Sequence, residues 1–177
     1  MAIVITVFGS SRPAPGTHAY ETARALGAAL AKAGFAIATG GYGGTMEAAS
    51  RGAREAGGKV IGVTAEEFSS PANQWVEEEI RVSTWQERLM KLVELGAGYV
   101  ALPGGTGTLV ELAVVWERIS KGFLSPRPLV ILGDFWLPVV KAIPAAELNS
   151  NPIQPAQSVE DAVMLLVRQV GVRRGAD

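Results

Sequence analysis

The segment Leu102-Pro103-Gly104-Gly105-Thr106-Gly107-Thr108-Leu109-Val110-Glu111 combines residue types that bind anions with one that can move protons. The apolar run from Gly98 to Leu102 reads as a buried strand and the chain from Thr108 onward as a helix, so the glycines lie in a tight strand-to-helix turn. Such a turn aims backbone N–H groups at whatever sits in front of it. Glycine lets a ligand come close to the backbone, and the helix N-terminus adds partial positive charge that favours phosphate. The hydroxyls of Thr106 and Thr108 add donors. Glu111 stands four residues after Gly107 and projects from the first helical turn toward the loop. A carboxylate there repels phosphate, so it would address another part of the ligand. The same residues also fit a capping box, Thr108-Leu109-Val110-Glu111, in which Glu111 only bonds back to the cap. Three glycines in four positions after a proline exceed what a cap requires.

Composition narrows the chemistry. The chain has 177 residues, 48% hydrophobic and 19% charged, as expected for one globular domain. Residues 1–172 are read as a single Rossmann-like nucleotide-binding domain and 173–177 as a flexible tail. Sixteen basic against 17 acidic residues, with no basic cluster, argue against nucleic acid or an anionic membrane as partner. The chain has no cysteine, which removes thiolate chemistry and cysteine metal sites. A single histidine, His18, makes a histidine metal site or serine triad unlikely, and no metal or cofactor is expected. The run Ile3 to Phe8 is too short to span a membrane and has no signal-peptide flanks, so a cytoplasmic protein is expected.

The elements that position this segment alternate. Strands are expected at Ile3–Phe8, Phe35–Ala38, Lys59–Val63, Ile80–Val82, Gly98–Leu102 and Leu129–Leu132. Helices are expected at His18–Lys32, Thr45–Ala56, Trp85–Leu95, Leu109–Ser120, Trp136–Ala142 and from Ser158 to Val170. Pro144, Pro152 and Pro155 suggest that Ala145 to Gln157 is irregular. The pattern is α/β: a Rossmann-like, doubly wound, mainly parallel sheet flanked by helices on both faces. In such sheets the ligand lies beyond the carboxyl ends of the strands, where strand order reverses. Three small-residue loops leave strand ends and should border one crevice. They are Ser10-Ser11-Arg12, then Gly40, Gly41, Gly43, Gly44 and Thr45, and then Pro103, Gly104, Gly105, Thr106, Gly107 and Thr108. The helix Leu109–Ser120 is apolar nearly all round, which suggests burial against a second subunit and a homodimer or higher homo-oligomer.

Two common nucleotide motifs fail. The dinucleotide pattern meets Val110 and Met46 where a third glycine belongs, and the Walker pattern meets Ala53 and Val60. What remains is a mononucleotide or phosphosugar site. Here the chain resembles the Lonely Guy (LOG) family of nucleoside 5′-monophosphate phosphoribohydrolases. Residues 103–111, PGGTGTLVE, match the family signature PGGxGTxxE, and Arg88 falls 15 positions before Pro103, in the register of the arginine of MHxRKxxM. GSSRP, GGYGGTMEAA and GGKVIGV extend the resemblance across roughly residues 3–135. The chain departs from the family pattern at Trp85-Gln86, at Leu89 and at Glu47. The resemblance implies hydrolysis of AMP or a cytokinin-type monophosphate to free base and ribose 5-phosphate, with Arg88 and Glu111 as catalytic residues. It leaves open a non-catalytic nucleotide or molybdenum-cofactor binder on the same fold. The family's older label, lysine decarboxylase, fails on chemistry, because no lysine adjoins the glycine loops that would hold pyridoxal phosphate.

Overall fold

The computed structural model describes residues 2–171. Seven strands form one sheet: β1 Val4–Phe8, β2 Ala36–Thr39, β3 Val60–Ala65, β4 Glu78–Val82, β5 Gly98–Ala101, β6 Leu129–Leu132 and β7 Ile153–Ala156. Their order is β4-β3-β2-β1-β5-β6-β7, and every pairing is parallel. The helices are α1 His18–Lys32, α2 Thr45–Glu55, α3 Trp85–Leu95, α4 Thr106–Ser120, α5 Leu137–Ala142 and α6 Val159–Leu166. The fold is therefore the expected α/β Rossmann-like one.

Each strand face has its own core. Ile5, Val7, Ile37 and Val100 turn toward α1, α2 and α6, where they meet Leu26, Leu30, Ala49 and Leu166. Phe8, Ala38, Val63, Tyr99 and Ala101 turn the other way, toward Leu92, Leu112, Val115 and Trp116 on α3 and α4. Burial on both faces explains why the central strands read as unbroken apolar runs and not as alternating ones. Strand order reverses at β1, which pairs with β2 on one side and β5 on the other. The carboxyl ends of β2, β1 and β5 thus lie side by side, and the loops that leave them share one end of the sheet.

Three expectations need correction. Ala145 to Gln157 is not wholly irregular: after a 3₁₀ turn at Ala145–Glu147, Ile153–Ala156 pairs with β6 as an edge strand. Pro155 is tolerated there because an edge residue can do without a ladder N–H. Helix α4 begins at Thr106, with Gly105 as an extended N-cap. Thr108 is therefore inside the helix and cannot be the cap of a T-x-x-E box. In the single chain, Ala113 and Glu117 of α4 are exposed and Leu109, Val110 and Val114 are half-buried. The final helix ends at Leu166 and continues as a π turn, Val167–Gly171. The predicted tail 173–177 lies outside the described residues.

Helices α1 and α2 approach closely because each presents a glycine to the other. A Cβ on Gly27 would lie 2.0 Å from the Ala49 carbonyl oxygen, and one on Gly52 would lie 1.9 Å from that of Arg24. In an open helix, Gly→Ala stabilises by about 1 kcal/mol. Here the clash is with backbone, which cannot rotate away, and overpacking of this kind costs about 1–3 kcal/mol. Gly52→Ala should therefore lower stability in chemical denaturation, although it raises helix propensity.

Candidate active site

The loops after β1 and β5 line a crevice of about 920 Å³ at the carboxyl end of the sheet. Ser10, Ser11 and Arg12 form one wall and Pro103 to Thr108 another, while Arg88 and Glu111 line its interior. Ser10 Oγ accepts from the Arg12 N–H at 3.1 Å and shapes that turn. The Arg12 side chain is exposed and has no acidic partner among the described residues.

The two glycine loops divide the work. At the N-terminus of α2, Thr45 donates both its N–H (2.8 Å) and its hydroxyl (3.0 Å) to the Ser10 carbonyl, so that helix end is already engaged. Gly44 turns at φ +68° with its Cα against Ser10 and Ser11, and Gly40 makes room for Arg88, since a Cβ there would sit 1.7 Å from Nη2. Gly40, Gly41, Gly43, Gly44 and Thr45 consequently lie outside the crevice lining; Tyr42 and Met46 represent that region in it. The N-terminus of α4 is different. Gly105 caps it without any side-chain bond, leaving first-turn N–H groups without intrahelical acceptors. A Cβ on Gly105 or Gly107 would meet nothing within 4 Å, and neither residue has a positive φ. The fold does not require glycine at these two positions, whereas a ligand lying against the backbone would. Gly104 does serve packing, because its Cβ would lie 2.2 Å from Thr108 Oγ1.

Starting α4 at Thr106 carries Glu111 into the second turn, where it meets Arg88 of α3. Arg88 Nη1 lies 3.7 Å from Glu111 Oε1, with the two side chains 7% and 13% exposed. Burial pushes the Glu111 carboxyl up to about 7, and the nearby guanidinium only partly opposes this. Burial also draws the Arg88 pKa down, though arginine keeps its charge at any working pH. Arg88 is held on the sheet side as well: its Nε–H donates to the Val63 carbonyl at 2.9 Å, and Nη2 lies 3.8 Å from Met46 Sδ.

The sequence reading passed over three aromatics. The ring centroids of Tyr42 and Phe68 lie 5.4 Å and 5.8 Å from the Arg88 guanidinium carbon, and Phe135, edge-on to Trp136, lines the crevice too. The only signal for Phe68 and Phe135 was their place in loops after β3 and β6, at the ligand end of the sheet. Trp85 also lines the crevice, and Leu89 belongs to the core. Glu47 faces elsewhere, accepting from the Tyr20 hydroxyl at 3.2 Å, and His18 is exposed. Among the described residues no cluster could hold a metal ion, and no helix is long and apolar enough to cross a membrane.

The doubly wound parallel sheet defines a Rossmann-like protein, with an uncapped helix N-terminus and a buried carboxyl–guanidinium pair in one crevice at its carboxyl end. The chain matches the SLOG cluster4 family over residues 2–149 and belongs to it. It is 31% identical over 153 residues to a cytokinin riboside 5′-monophosphate phosphoribohydrolase of Rhodococcoides fascians, covering 82% of this chain and 76% of the relative. To the protein of the same name from Mycobacterium tuberculosis it is 32% identical over 139 residues, covering 75% and 71%. The molybdenum cofactor binding protein of Rippkaea orientalis superposes with a TM-score of 0.79 at 26% identity, covering 95% and 97%.

Glu111 gives the fold a pH signature. Its folded pKa, about 7, exceeds the unfolded value near 4.3, so the unfolded chain releases that proton first as pH rises. Glu111 thus favours folding fully below about pH 4, and this contribution is lost as pH rises through about 7. Urea unfolding at pH 5 and pH 8 should show the parent protein losing stability relative to Glu111→Gln, on the order of 2 kcal/mol. Parallel curves for the two proteins would contradict the burial of this carboxyl.

Proposed function

We propose that the protein is a nucleoside 5′-monophosphate phosphoribohydrolase, cleaving AMP or a cytokinin-type monophosphate with water to free base and ribose 5-phosphate. The observation that carries this reading is a buried carboxyl with a pKa near neutrality, paired with a fixed guanidinium, in the crevice that holds a helix N-terminus without a side-chain cap. The phosphate would rest on the N–H groups and hydroxyls of Gly104 to Thr108, where Gly105 and Gly107 leave the backbone open. Arg12 would add positive charge at the rim.

Cleavage of an N-glycosidic bond develops oxocarbenium character on the ribose, which calls for negative charge near the anomeric carbon and an oriented water. Glu111 would supply both. As its carboxylate, it takes a proton from water while the water oxygen bonds to the anomeric carbon. The base leaves with the electron pair of the broken C–N bond and gains a proton from solvent. Arg88 would hold a ribosyl oxygen through the edge it turns to the crevice, and its charge would help keep Glu111 ionised. The names of the two bacterial relatives favour this reading.

A second reading, a carrier that binds a nucleotide or the molybdenum cofactor without turnover, is favoured by the likeness to the Rippkaea orientalis protein. It gives the Arg88–Glu111 pair no task. Incubation with AMP, followed by chromatography for free base and ribose 5-phosphate, separates the two. Binding without product would favour the carrier.

If hydrolysis is the activity, Glu111→Gln should reduce turnover by ~10²–10⁴ fold with the fold intact. The parent kcat/KM should rise with pH through about 7, and the variant should lack that limb. An unchanged rate would remove Glu111 from the mechanism. A Cβ at Gly107 meets no protein atom within 4 Å, so Gly107→Ala should preserve the fold yet raise KM by about tenfold or more, roughly 1.4 kcal/mol of lost binding. An unaltered KM would place the phosphate elsewhere.

A further inference from the structure

Two opposite charges drawn out of water attract each other strongly, and an unrestrained arginine and glutamate close to hydrogen-bond distance, near 2.7–2.9 Å. Arg88 and Glu111 stand at 3.7 Å. Something holds them apart, and the contacts of Arg88 identify it. One edge of the guanidinium is tied to β3 through the Val63 carbonyl, and its plane neighbours the rings of Tyr42 and Phe68. Tyr42 is itself immobilised. Its hydroxyl accepts from the Ala65 N–H at 3.0 Å and lies 3.3 Å from the Ala65 carbonyl, which it can reach as donor. Its backbone is clamped by Asn73, whose Nδ2 donates to the carbonyls of Gly41 at 3.1 Å and Tyr42 at 2.9 Å. Phe68 stands edge-on to Tyr42 with centroids 5.6 Å apart, completing the cage.

We propose that Tyr42 is a positioning residue: its ring, fixed to the end of β3, holds Arg88 back from Glu111 and leaves the carboxyl free to face the crevice. A cation over an aromatic face is attracted by the ring quadrupole, more strongly as water is excluded, and this attraction opposes the last ångström of ion-pair closure. The titratable and charged side chains lining the crevice with Glu111 are Arg88, Arg12 and Tyr42. Arg88 is the one paired with it. Release of Arg88 would therefore let a hydrogen-bonded pair form, and Glu111 would lose its poise near neutrality. The catalytic meaning of this inference rests on the hydrolase reading. Its geometric content can be measured without substrate.

The experiment is a double-mutant cycle on the ligand-free protein, with the Glu111 carboxyl titrated by carbon-13 NMR and assigned through Glu111→Gln. Tyr42→Leu should lower the Glu111 pKa by roughly one to two units, the usual effect of an arginine at close range. In an Arg88→Gln background the same substitution should leave it unchanged within error. An equal shift in both backgrounds would mean that Tyr42 acts by excluding water, and no shift in either would mean that it does nothing to the pair. Both results overturn the proposal. Should Tyr42→Leu fail to fold, Phe68→Ala replaces it in the cycle, since Phe68 lies on an exposed loop, with a smaller shift of the same sign expected. Absence of AMP hydrolysis in the parent protein would end the enzymatic reading while leaving this cycle intact.

Discussion

A carboxyl and a guanidinium are withdrawn from water in one crevice without closing on each other, and much of the fold is arranged around keeping them so. Glu111 reaches the pair because α4 starts early enough to place it in the second turn. Arg88 reaches it from α3, through the space that Gly40 leaves, and is bound to the Val63 carbonyl on the way. The pair therefore joins β3, α3 and α4 at the ligand end of the sheet. Such a pair adds little net stability, because desolvation offsets most of the Coulomb gain. Burial raises the carboxyl to about 7, the range in which a group can both give and accept a proton near neutral pH.

The division of labour between the glycine loops follows from the same geometry. Two helices begin beside the crevice and both offer a positive N-terminal end. At α2 the Ser10 carbonyl accepts from Thr45 twice, so that end stabilises the protein and has no N–H of Thr45 left for an anion. At α4 no side chain caps the turn, and two glycines stand where no packing or backbone conformation demands them. One helix end is completed by the chain; the other carries no side-chain cap.

Much of this was legible in the sequence. The alternation of β-branched runs with Ala- and Leu-rich segments placed every strand but β7 and every helix, because a doubly covered parallel sheet makes its strands unbroken apolar runs between amphipathic helices. The exception, Ile153–Ala156, was hidden by Pro152 and Pro155, whose cost vanishes at a sheet edge. Local pattern also misplaced the start of α4. Thr108 is a good cap by type, yet Gly105 takes that role, since its backbone is extended at φ −94°, ψ −159° and the helix begins at Thr106. The resemblance to the LOG signature, which sets Arg88 15 positions before Pro103, brought forward a pair that the structure places 3.7 Å apart. What local sequence could not reveal was which glycines are packed and which are open, since that depends on Arg88, Ser10 and Thr108 arriving from elsewhere. The Tyr42 platform was equally hidden, because its meaning lies in Ala65 and Asn73.

The two margins of the sheet are sealed in different ways. β4 presents Glu78, Glu79 and Arg81 to solvent, and β7 carries Pro155, which has no N–H to offer an incoming strand. Strand addition at either margin is thereby disfavoured. Among the helical surfaces, α4 leaves Val110 and Val114 half-covered beside the crevice that Glu111 lines. Growth by sheet continuation, the route to fibrous aggregates, is discouraged by the same residues that close the fold.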